Sequence, residues 1–179
     1  KKPRRANGAR VAVRKKTKHP VEIVVEPYFD RISIDGQQVA KNDKSTRYGH
    51  RFACQLEEGP HRVLIEHQAC QDEEFEIKVP VKKQIRRKLN YLPALLVIES
   101  DSPQAGVYVD TNFKGTAAGS REAPITITME GLQPKRQVHL RLVDPQGDEF
   151  SRKVTVRAGK RTVVKAGRED FSAADGSKR

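Results

Sequence analysis

The sequence predicts an all-β fold: two small antiparallel β-sandwich domains in tandem, with little helix. Three observations carry that expectation. Apolar and polar residues alternate with period two in short runs, and turn residues interrupt them every ~8–12 positions. No window of about 11 residues carries a helical apolar stripe. The second half also repeats the pattern of the first at an offset of about 75 residues.

The candidate strands follow in chain order. The first half offers Val21–Pro27, Arg31–Asp35, His50–Glu57, His61–His67, Glu74–Val79 and Gln84–Leu89. The second offers Ala94–Glu99, Gly106–Asp110, Ile125–Glu130, Gln137–Val143, Arg152–Arg157 and Arg161–Ala166. In Glu74–Val79 the apolar face is Phe75, Ile77 and Val79, the signature of a half-buried strand. Gln84–Leu89 has Ile85 and Leu89 four apart and is the best helical candidate, but it lacks caps. Asp35-Gly36 suits a tight turn with positive φ. Glu57-Glu58-Gly59-Pro60 reads as a hairpin connection, as does Asp144-Pro145-Gln146-Gly147.

The repeat divides the chain. An apolar strand, a Pro, a short gap and an alternating strand ending in Asp occur as Val21–Pro27 then Ile32–Asp35, and again as Leu96–Pro103 then Val107–Asp110. The expected boundaries are a basic arm at 1–20, a first sandwich at 21–90, a short stiff linker at 91–93, a second sandwich at 94–166 and a disordered tail at 167–179. The linker is too short and apolar for a flexible tether.

Charge is concentrated at one end. The 179 residues carry a formal net charge of +12, and residues 1–20 hold nine Lys/Arg and no acid. The arm, including Arg14, Lys15 and Lys16, could contact nucleic acid, anionic lipid or an acidic polymer. It has no aromatic residue before Tyr28 for base stacking, so a solvated linker is the preferred reading. A second basic run, Lys82, Lys83, Arg86, Arg87 and Lys88, sits at the junction of the halves. It is either an anion-contacting groove or an edge strand protected by charge. No stretch approaches the ~18–20 apolar residues of a membrane span. The chain opens Lys1-Lys2-Pro3 without Met, which reads as a fragment or processed piece of a larger protein.

The turn residues carry a family resemblance. The second half has Pro103-Gln104-Ala105-Gly106, then Val107-Tyr108-Val109-Asp110 and Lys114-Gly115-Thr116. The first has Asp35-Gly36, then Leu56-Glu57-Glu58-Gly59-Pro60-His61 leading into the next strand. Over roughly Val21–Ala166 the chain resembles a tandem pair of divergent PEGA domains. The resemblance implies compact β-sandwiches of bacterial surface and signalling proteins, for example beside a Ser/Thr kinase. It implies no catalytic residues, with Asp35, Gly36, Gly59, His61, Pro103, Asp110 and Gly115 as turn-forming positions. The setting it implies is the bacterial cell envelope or the cytoplasmic face of the membrane.

Chemistry was sought and not found. There is no Walker loop, GxGxxG, GxSxG or HExxH. His50 and His67 would face each other across the expected hairpin, but a metal there would need further ligands. In that hairpin Cys54 faces Val63, leaving Cys70 about 20 Å further along, beyond disulfide reach. Two free thiols are expected, with Cys54 on the face of Phe52 and Leu56. The sequence reads as a non-catalytic interaction or spacer module with a protein or polysaccharide partner and no cofactor. The alternative is a binder of nucleic acid or acidic glycan through the arm and Lys82–Lys88.

Overall fold

A computed structural model describes residues 17–41, 50–82, 84–131 and 133–173. The first half contains β1 (Lys18–Glu26), β2 (Arg31–Ile34), β3 (Gln37–Lys41), β4 (Arg51–Glu57), β5 (Gly59–Glu66), β6 (Glu73–Val79) and β7 (Ile85–Lys88). The second contains β8 (Ala94–Ser100), β9 (Gly106–Val109), β10 (Asn112–Thr116), helix α1 (Ala117–Glu122), β11 (Ile125–Ile127), β12 (Lys135–Val143), β13 (Asp148–Arg157) and β14 (Arg161–Ala166). A 3-10 turn at Arg168–Asp170 and β15 (Ser172–Ala173) follow.

Each half is a pair of sheets. In the first, β4-β1-β7 faces β3-β2-β5-β6; in the second, β11-β8-β14 and β10-β9-β12-β13-β15 keep the same order, with β15 added at the edge. Pairing is antiparallel apart from β1 with β7 and β8 with β14, which are parallel. Parallel neighbours need a long crossover, and here the strands of the other sheet supply it. The inward positions are those the alternation marks: Ile23, Val25, Ile32, Val63 and Ile65 in the first half, and Leu96, Ile98, Val107, Leu140 and Leu142 in the second. At about 1.5–3 kcal/mol per fully buried branched side chain, these stripes are the main support of the fold.

Several expectations change. Glu58 and Gly59 do not close a hairpin: β4 pairs with β1, while β5 pairs with β2 and β6. The chain passes from one sheet to the other there, with Gly59 at φ 138, a value only glycine adopts easily. Cys54 therefore faces Val21 rather than Val63. Alternation fixes which face a residue shows, not which strand lies beside it. Gln84–Leu89 yields strand β7, and the helix is α1, capped by Thr116 Oγ1 accepting from Gly119 N at 3.1 Å. At six residues it is too short to show a stripe. Strands β3 and β10 are polar and exposed at sheet edges, so they escape an apolar pattern. Of the expected arm, Lys18–Pro20 belong to β1, and residues 1–16 lie outside the described residues. The start of the expected tail packs on the second half: Phe171 lies near Phe150, 6.2 Å between ring centres, and β15 pairs with β13, while residues 174–179 lie outside the described residues. One aromatic anchor there outweighs a polar composition.

The connection between the halves is held on both sides. Toward the first half, Gln71 N donates to Asn90 O and Leu92 N to Ala69 O, both at 2.8 Å, around an antiparallel bridge of Cys70 and Tyr91. Toward the second, Gly159 N donates to Pro93 O at 3.2 Å and Leu95 N to Lys160 O at 2.9 Å. Gly159 has φ 64, and a Cβ there would lie 3.3 Å from Leu92 Cδ1 and 3.7 Å from Gln68 O. Buried residues of both halves belong to one apolar cluster.

Candidate interaction surface

The basic stretch is an edge strand. Strand β7 lies at the rim of its sheet beside β1, and its alternation splits the cations between two faces. Arg87 turns inward, pairs with Glu73 at 3.1 Å and lies over the Phe75 ring at 4.1 Å. Arg86 and Lys88 are exposed on the other face, and Arg86 Nε donates to Gln84 Oε1. Lys82 rims a surface groove of about 570 Å³ between Pro20, Val21, Cys54 and Val81. Arg14, Lys15, Lys16 and Lys83 lie outside the described residues.

The motif residues shape turns. Asp35 and Asp110 adopt φ 50 and 49 at equivalent corners. Short polar side chains tolerate this left-handed region by bonding locally. Asp35 Oδ1 accepts from Arg62 N at 2.9 Å, and Asp110 Oδ1 from His139 N at 2.8 Å. Each carboxylate thus ties its turn to the neighbouring strand. The second oxygen takes a cation: His61 Nδ1 at 2.6 Å from Asp35, Arg136 at 2.8 Å from Asp110. Nε2 of His61 donates to Glu57 O at 2.8 Å. With acceptors at both ring nitrogens the imidazolium is favoured, so Asp35 first and Glu57 second raise the His61 pKa. The Asp35 pKa is lowered in return, by His61 and then by Arg62 N. Gly36 at φ 77 completes the first turn and Gly115 at φ 116 sits at a bulge in β10. The Pro103 carbonyl accepts from Ala118 N at the start of α1.

A polar cluster closes the seam. His67, 4% exposed, has its ring 4.3 Å from that of Tyr28 and 6.3 Å from that of Tyr91, near buried Cys70. Its Nδ1 accepts from Ala69 N at 3.0 Å, and its Nε2 has no hydrogen-bond partner among the described residues. Burial lowers the His67 pKa and pushes the Cys70 thiol up to about 11. The ring of His50 lies 6.4 Å from that of Tyr28, and because β4 and β5 do not pair, His50 and His67 are not cross-strand partners. Both cysteines are free thiols. Among the described residues no group of three or more His, Cys, Asp or Glu is arranged to hold a metal ion.

The open faces of the two larger sheets differ in charge. In the first half Arg31, Lys41, Arg62 and Lys78 share that face with Glu66, Glu74 and Glu76, and Arg31–Glu66 and Arg62–Glu74 are ion pairs. In the second half the side opposite buried Val138, Leu140 and Leu142 carries Lys135, Arg141, Lys153 and Arg157 against Glu149 alone. Across this sheet Phe113, Tyr108, Arg141 and Ser151 form one row, and His139 with Lys153 the next. Arg141 covers the Tyr108 ring at 4.6 Å and pairs with Glu149 at 3.0 Å. His139 Nε2 and Ser151 Oγ share a hydrogen bond of 2.9 Å. Phe113, 60% exposed, lies 5.4 Å from Tyr108. This surface is not legible in the sequence alone because it needs β10. Once Asp110-Thr111 is seen as a hairpin turn, Tyr108 and Phe113 become cross-strand neighbours on the solvent face.

Strand order and pairing define a tandem β-sandwich protein with an exposed, cation-rich sheet face. Comparison with family models and with curated proteins finds no match to this chain. Among the described residues no helix is long and apolar enough to cross a membrane.

Proposed function

We propose that the chain is a non-catalytic interaction and spacer module. Two PEGA-like sandwiches held in fixed relation present a surface to a protein or polysaccharide, within a larger bacterial signalling or cell-envelope protein. The observation that supports this reading is the linker, where Leu92 N donates to Ala69 O of the first half and Pro93 O accepts from Gly159 N of the second. A spacer transmits position only if its parts do not swing, and the hydrogen bonds on both sides of this seam support that requirement. The open faces of the sheets then serve as contact surfaces. Differential scanning calorimetry of the full chain tests the stiffness. One transition with equal calorimetric and van't Hoff enthalpies is expected. Two separable transitions would show the halves to be independent and remove the reading.

A further inference from the structure

We infer that the open face of β9, β10, β12 and β13 binds an acidic polysaccharide, with Phe113 as the platform for one sugar ring and Lys135, Lys153 and Arg157 as contacts for its carboxylate or sulfate groups. This names the partner class of the module and rests on the spacer reading above. Four cations against one carboxylate leave the face with three net positive charges, whereas the equivalent face of the first half sets four cations, Arg31, Lys41, Arg62 and Lys78, against three carboxylates, a net of one. Charge complementarity therefore points to a polyanion, and to this half over the first.

The spacing suits a polymer. Alternate residues along a strand stand about 6.6–6.8 Å apart, so the rows from Arg141 to Lys135 make a track of about 20 Å. Lys153 and Arg157, on the adjacent strand, flank that track next to His139 and Lys135. The two rings set the class of polymer. Arg141 covers the Tyr108 ring, and Phe113 lies beside it with most of its surface open. A single free platform suits one pyranose, whose C–H face packs on the electron-rich face of the ring while its anionic groups lie at the rim. A single-stranded nucleic acid is held by successive bases stacked on several aromatics, which this face does not provide. A duplex would have to meet a flat sheet that enters neither groove.

The test uses the full chain and a fluorescein-labelled heparin dodecasaccharide, read by anisotropy at low and at near-physiological salt. Binding that weakens with salt is expected. F113A should lose about 3- to 10-fold in affinity, the share of one ring contact, while F113Y holds it. K153A and R157A should each lose about 2- to 5-fold at low salt. R62A, on the more nearly balanced face of the first half, should match the parent chain. Unchanged affinity in F113A, or a loss in R62A equal to that in K153A, overturns the assignment, because charge elsewhere would then be responsible. Tighter, Phe113-dependent binding of a single-stranded 12-mer reassigns the face to nucleic acid and also overturns it. Absence of heparin binding overturns it as well. A melting curve for every variant separates the two readings: lost binding with one intact transition rejects the ligand and leaves the spacer standing.

Discussion

The Asp35–His61 contact makes stability pH-dependent in a way its counterpart in the second half does not. Asn at position 35 keeps a short polar side chain that tolerates φ 50, so D35N removes the charge and little else. The sign follows from the two shifts. His61 is raised above 6.5, so its contribution is complete below that value and is lost as pH rises through the folded value. Asp35 is lowered below 3.8, so its contribution is complete above that value and is lost as pH falls through the folded value. Together they stabilise most between about 3.8 and 6.5. The Asp35 side chain is 52% exposed, and screening limits the pair to about 0.5–1 kcal/mol. A double-mutant cycle of D35N and H61Q by urea denaturation should give that coupling near about pH 5.5 and almost none near about pH 9. The D110N and R136Q cycle should keep its coupling at the higher pH, because a guanidinium does not deprotonate there. Equal coupling for the histidine pair at both pH values would refute the reasoning.

Three further outcomes are expected. His67 is buried with its pKa lowered from 6.5, so stability falls as pH drops below 6.5; H67N, which keeps an acceptor for Ala69 N, should flatten that slope in urea titrations. Cys70, with its thiol pushed up to about 11 by burial, should resist a disulfide reagent until guanidinium unfolds the chain, while half-buried Cys54 reacts first and slowly. Two rapidly labelled thiols in the native protein would contradict this. G159A should cost about 1–2 kcal/mol in thermal or urea unfolding, because a Cβ at φ 64 is strained and also presses on Leu92.

The sequence by itself determined the class of fold and most of the strands. Alternation reports directly which side of a strand meets water, so Ile77 and Val79, or Val154 and Val156, were readable as inward residues one by one. The turns at Asp35-Gly36 and Asp144–Gly147 were readable for the same local reason, since positive φ and side-chain capping select few residue types. Only the tertiary structure decided which strands are neighbours. Gly59 carries the chain from one sheet to the other instead of back along β4, and no residue near it distinguishes the two paths. Neighbours also decided the surface. Polar β10 brings Phe113 beside Tyr108, and β13 sets Lys153 beside His139. These pairs lie 5 and 14 residues apart in the chain, joined by backbone ladders that side-chain periodicity does not encode.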